Sequence, residues 1–165
     1  MSYPGSMRLL ALLLAMSLPA ASQPIGSAAD VARAEQSFRV LGRAARDLDD
    51  VLVRARTAAV RREATEADVN GLVAAARAYH DQAADAARHA LRIAGCDEDH
   101  CGRAIGVLRD EARRAERAHE RLDSDWAYAR SVFLKLGLVV SGFDALIKEA
   151  SGKVRAAGGS ASTCR

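Results

Sequence analysis

Proline is nearly absent from this chain, which has only three prolines and none after Pro24. Runs of β-branched residues are absent as well and alanine is abundant, so local propensity favours helix along almost the whole sequence. Without strands, no glycine-rich phosphate loop can follow a strand, and the nucleotide-binding classes built on that arrangement are excluded. The expected fold class is therefore all-α.

Lysine and catalytic side chains are also scarce. Only three of the 24 basic residues are lysines, and the net charge of +3 is spread along the chain instead of forming a basic patch. We therefore expect no nucleic-acid partner. The few serines have no accompanying base and orienting acid, so we expect neither an enzyme nor a bound cofactor.

The N-terminal segment has the composition of a secretory signal peptide. Arg8 precedes an apolar run from Leu9 to Leu18 that is too short to span a bilayer, and Pro19 and the small residues Ala20 to Ser22 follow it. We expect residues 1–22 to be removed on export to the bacterial periplasm or the extracellular space, where disulfides persist. Residues 23–27 are then a short linker.

Beyond the linker, apolar residues recur at steps of three and four, as in helices that pack along a heptad-like seam. The first predicted helix spans about Ala28 to Arg62, and a second begins after the cap residue Thr65 and stops at Gly95. The short connection between these two makes them antiparallel. The sequence predicts an antiparallel bundle of three to four long, alanine-rich helices with coiled-coil-like packing at residues 28–150, and a disordered tail at residues 151–165.

A third apolar stripe runs from Ile105 to Ile147 without a change of phase, and as one helix it would be roughly 70 Å long. Three arrangements would cover its apolar end: a break at Asp123–Asp125 that lets the chain fold back as a fourth helix, burial in a homodimer, or contact with a membrane or an unknown protein partner. Lys135 and Asp144 disfavour the membrane. The predicted interaction face comprises Val132, Phe133, Leu136, Val140, Phe143 and Ile147.

The stretch Gly95–Cys101, "GCDEDHC", contains two of the three cysteines. It lacks the Cys-x-x-Cys-His spacing of covalent haem attachment, and it is a poor zinc site because His100 is adjacent to Cys101 and no second ligand pair exists. A disulfide between Cys96 and Cys101 fits better. It requires a non-helical corner, since the two α-carbons would be roughly 8.7 Å apart in a straight helix. Cys164 is left over, because pairing it with the corner would cross much of the molecule.

Glu116 and His119 form a Glu-x-x-His pair, which is half of the motif of di-iron helical bundles, but no second pair accompanies it. We therefore expect no metal, and His100, Glu116 and His119 are the remaining candidate ligands. The sequence favours an exported, non-enzymatic helical-bundle protein that acts by protein–protein interaction, as an adaptor, a chaperone-like protein or an inhibitor or immunity-type protein. A metal-binding or membrane-associated bundle is the alternative.

Overall fold

The computed structural model describes residues 26–96 and 103–164. Within these ranges the chain forms four α-helices and no strand: α1 (Ala28–Val60), α2 (Glu66–Arg92), α3 (Ala104–Lys135) and α4 (Phe143–Thr163). The predicted all-α bundle is thereby confirmed. The predicted signal peptide at residues 1–22 and most of the linker lie outside the described residues.

The first two helices begin with capping boxes. The Ser27 hydroxyl accepts a hydrogen bond from the Asp30 amide at 3.2 Å, and the Asp30 carboxylate accepts one from the Ser27 amide at 3.0 Å. Thr65 and Asp68 repeat this exchange at the start of α2. Hydrogen bonds from these hydroxyls and amides lower the pKa of both aspartates. The predicted cap at Thr65 is confirmed.

Helices that follow one another in the chain run in opposite directions. The neighbours α1 and α3 are therefore parallel to each other, and so are the neighbours α2 and α4. α1 packs against α2 and α3, and α4 packs against the same two helices, so α1 and α4 occupy opposite corners of the described bundle. Ion pairs join Arg39 to Glu111 and Asp49 to Arg121, which shows that α1 and α3 are parallel. The bundle therefore has two ends, one at the α1–α2 and α3–α4 connections and one at the α2–α3 connection.

The predicted apolar stripe of α1 forms one wall of the core. Every residue that the three-and-four spacing selected on this helix is buried, as expected for a helix whose remaining face meets solvent. The set is Val31, Ala34, Phe38, Leu41, Ala45, Leu48, Leu52, Ala55 and Ala59.

The helix does not break at Asp123–Asp125, which was the first of the three arrangements that the sequence left open, but the chain does fold back as a fourth helix. α3 continues through these residues because its apolar stripe goes on through Trp126 and Phe133, which are both buried. Asp125 lies 3.7 Å from Arg121 of the preceding turn, so the acidic cluster forms part of the helix surface.

α3 ends instead in a glycine-terminated Schellman motif. Gly137 has a φ of 72°, its amide donates to the Leu134 carbonyl at 3.1 Å, and the Leu138 amide donates to the Phe133 carbonyl at 2.9 Å. Gly142, with a φ of 82°, directly precedes α4. The chain reverses between two glycines in the left-handed conformation that other residues adopt at a cost.

The predicted disordered tail is wrong for residues 151–163, which are helical and belong to α4. The buried face of α4 continues at steps of four and three beyond the predicted boundary at residue 150. Glycine also serves close packing here, since a Cβ at Gly158 would overlap the Glu116 carboxylate of α3. The buried stripe is Phe143, Ile147, Ala150, Val154, Ala157 and Ala161.

Candidate functional site

Half of the predicted interaction face is buried in the core of the bundle. Phe133, Phe143 and Ile147 are buried in the core, so the prediction that they form a free contact face is wrong. The reason is the reversal after α3, which lays α4 against α3. Val132 and Val140 are half-buried, and only Leu136 of the predicted set is exposed.

Aromatic and polar contacts hold the reversal. The rings of Trp126 and Phe143 are 4.1 Å apart between centroids. The Trp126 indole donates a hydrogen bond of 2.7 Å to Asp144, which also pairs with Arg130 at 3.4 Å. These contacts join α3 to the first turn of α4 and close the core at this end.

Most exposed large apolar side chains lie at the end of the bundle that contains the α1–α2 and α3–α4 connections. Of the eight such side chains among the described residues, only Leu91 and Val107 belong to the other end. Val139 is 73% exposed and Leu134 is 62% exposed, although both border the reversal that buries Phe143. This uneven distribution makes the end with the α1–α2 and α3–α4 connections the candidate contact region. The six are Val53, Val60, Tyr128, Leu134, Leu136 and Val139.

Beside this reversal lies an open depression of about 740 Å³, which we call the loop-end groove. Val69 and Val73 of α2 are four residues apart and line it together with Val139. Glu66 and Arg77 supply charges of opposite sign at its border, and Asn70, Ala74 and Ser141 complete the lining. An apolar floor with a polar border is the usual composition of a protein-binding groove.

The residues of the loop-end groove were not among the predicted site residues. Val69 belonged to the predicted stripe, but the structure leaves it only half-buried. Val73 and Val139 lie off the stripes, and valines at positions that no helical seam requires are the signal that could have identified them.

Cys96 and Cys164 lie at the opposite end of the bundle. Cys96 is buried with its sulfur 3.3 Å from the Gly26 carbonyl oxygen. Cys101 and His100 lie outside the described residues, so the predicted disulfide stays a prediction. The placement of Cys164 is corrected: its sulfur is 3.4 Å from the Ile93 carbonyl oxygen, beside the predicted corner, because α4 extends to this end. Cys164 is a free, buried thiol, and burial raises its pKa.

His119 lies inside the bundle, where its imidazole Nδ1 is 2.6 Å from the Tyr79 hydroxyl of α2. The histidine is only 6% exposed, and Nε2 has no hydrogen-bond partner within residues 26–96 and 103–164. Burial lowers the pKa of His119 and raises that of Tyr79, so both are neutral at pH 7. His119 and Tyr79 both follow the three-and-four apolar spacing of their helices, and nothing in that spacing predicts that they meet.

A second groove, of about 320 Å³, lies between α3 and α4 at His119, and we call it the His119 groove. Its α3 wall carries Glu116, Glu120 and Asp123, and its α4 wall carries Arg155. None of these four charged groups forms an ion pair within the described part of the chain. Ser151 and Val154 complete the lining. The groove has a net negative charge beside a buried imidazole.

Two features of the described residues bear on the metal-binding and membrane-associated alternatives. In the described ranges, no three His, Cys, Asp or Glu side chains converge as a metal site in their present positions. None of the described helices combines the length and apolar character needed to cross a bilayer.

The chain was also compared with known proteins. Protein-family models, curated proteins and solved structures all give no match to it.

Proposed function

We propose that this chain is an exported, non-enzymatic helical-bundle protein that acts by binding another protein at its loop-end groove. The observation that carries the proposal is the groove lined by Val69, Val73 and the exposed Val139, at the end of the bundle where six of the eight exposed large apolar side chains of the described residues lie. The partner presents an apolar side chain to Val69, Val73 and Val139, and polar groups to the charged border.

Contacts between the helices on either side of the Val139 loop support the proposal. The loop that carries Val139 lies between Gly137 and Gly142, and the Trp126 contacts with Phe143 and Asp144 fix the helices on either side of it. An apolar contact surface that is already ordered needs little further ordering when the partner binds, which favours affinity.

Export is proposed from the N-terminal sequence, with Arg8, the apolar run to Leu18 and the small residues up to Ser22. A partner would then be met in the periplasm or outside the cell. Intact mass of the exported chain tests this part separately, since loss of residues 1–22 supports it and a retained N-terminus contradicts it.

Site-directed photo-crosslinking tests the contact. A photoreactive amino acid replaces Val139 in one variant and the exposed Leu91, at the opposite end, in a matched control. Irradiation in the producing cell should give one discrete adduct from position 139 and none from position 91. An adduct of twice the chain mass identifies a second copy as the occupant. Equal labelling from both positions, or no adduct, contradicts the proposal.

A further inference from the structure

We propose that the His119 groove binds a divalent transition-metal cation, with His119 Nε2 as its nitrogen ligand and Asp123, Glu120 and Glu116 as sources of carboxylate ligands. This site lies on the α3–α4 side of the bundle and is independent of the loop-end groove. The inference rests on two separate observations: a buried imidazole nitrogen without a partner, and an adjacent groove whose carboxylates are unpaired within the described residues.

The orientation of the imidazole supports the assignment. Nδ1 faces Tyr79 on the core side, so the opposite edge of the ring, which carries Nε2, faces away from α2. Histidine ligands commonly donate their second ring N–H to a fixed acceptor, which leaves the other nitrogen free to bind the metal. The Tyr79 hydroxyl is placed to be that acceptor.

The spacing on α3 brings the carboxylates within reach. Asp123 follows His119 by four residues and Glu116 precedes it by three, so all three side chains lie on one helical face. In their present positions these side chains do not converge. Asp123 and Glu120 are exposed, so their side chains can rotate towards a cation at His119.

The charge of the groove sets the sign of its ligand. Three carboxylates face one guanidinium, that of Arg155, so the groove attracts cations over anions. Arg155 is exposed and repels an incoming cation, which gives the proposal a distinctive consequence: its removal should strengthen binding.

The fluorescence of Trp126 can report the binding of a metal ion at His119. Trp126 is the single tryptophan and follows His119 by seven residues, roughly 10 Å along the helix axis. Bound Cu²⁺ should quench its fluorescence, whereas diamagnetic Zn²⁺ should compete for the site and restore the signal. The experiment titrates the purified full chain with Cu²⁺ at neutral pH and then adds Zn²⁺.

The variants define the site. His119→Gln should abolish saturable quenching, while its amide can still bond to the Tyr79 hydroxyl. Asp123→Asn should weaken Cu²⁺ affinity about tenfold and Arg155→Gln should strengthen it about tenfold, since each changes one charge beside the cation. Tyr79→Phe should weaken it about tenfold through loss of the orienting contact. His89→Gln is the control, because His89 and Asp85 have the same four-residue spacing on α2.

The result that supports the proposal is saturable quenching that depends on His119 and Asp123 and not on His89. Absence of saturable quenching overturns it, as does quenching that is unchanged in both His119→Gln and Asp123→Asn. If His119→Gln does not fold, the exposed Asp123 and Arg155 variants decide the question by the opposite directions of their effects.

Discussion

Replacing Phe143 by alanine should remove a large share of the stability of the fold. Phe143 is fully buried, and its ring packs on Trp126 at the point where α4 turns back against α3. Truncation of a buried phenylalanine costs about 3 to 5 kcal/mol, because the lost burial is added to the cost of the cavity. Domains of this kind are stable by about 5 to 15 kcal/mol in total.

Guanidinium denaturation, followed by circular dichroism and by Trp126 fluorescence, measures this loss. Leu134→Ala is the matched control, since Leu134 borders the same reversal but is mostly exposed, and its free energy of unfolding should change by less than about 0.5 kcal/mol. A loss below about 1 kcal/mol for Phe143→Ala, or equal losses for both variants, would show that Phe143 is not covered by its own chain.

Three further predictions follow from the caps and the buried histidine. Gly137 and Arg62 both have positive φ, which glycine adopts more readily than other residues. Gly137→Ala should therefore lower the free energy of unfolding by about 1 kcal/mol, and Arg62→Gly should raise it by a similar amount. Melting temperatures that change in the same direction in both variants would refute this. Thr65→Ala should cost about 1 kcal/mol through loss of the cap at the start of α2, whereas an unchanged denaturation midpoint would contradict that contribution. Since burial lowers the pKa of His119 from 6.5, the unfolded chain binds a proton that the folded chain does not, so stability should fall as the pH drops below about 6.5. His119→Gln should lose this component of the slope, and identical slopes in parent and variant would refute it.

Much of the fold followed from the sequence because helix periodicity is a local signal. The seam of α1 and the cap at Thr65 depend on residues a few positions apart, and both are confirmed. The sequence left the end of α3 open because Asp123–Asp125 has the composition of a cap cluster, whereas the helix ends just before Gly137. A cap cluster does not interrupt a helix whose buried stripe continues.

The second half of α4 was predicted to be disordered because Gly152, Gly158 and Gly159 lower helix propensity there, although the apolar spacing continues. Val154, Ala157 and Ala161 continue the stripe of α4, and Gly158 is needed where Glu116 crosses the helix. The candidate sites were harder to predict. The His119 and Tyr79 contact joins residues 40 positions apart, and the loop-end groove joins α2 to a loop some 70 residues later, so both depend on how the helices pack.

The measurement that tests the central claim most directly is crosslinking from position 139 in a chain whose groove has been altered. Val73→Asp places a charge on the apolar floor of the loop-end groove, and Val107→Asp places the same charge on an exposed valine at the other end. The account predicts that the adduct from position 139 disappears with Val73→Asp and persists with Val107→Asp. An adduct that survives Val73→Asp in a folded chain would contradict the proposal that this groove binds a partner protein.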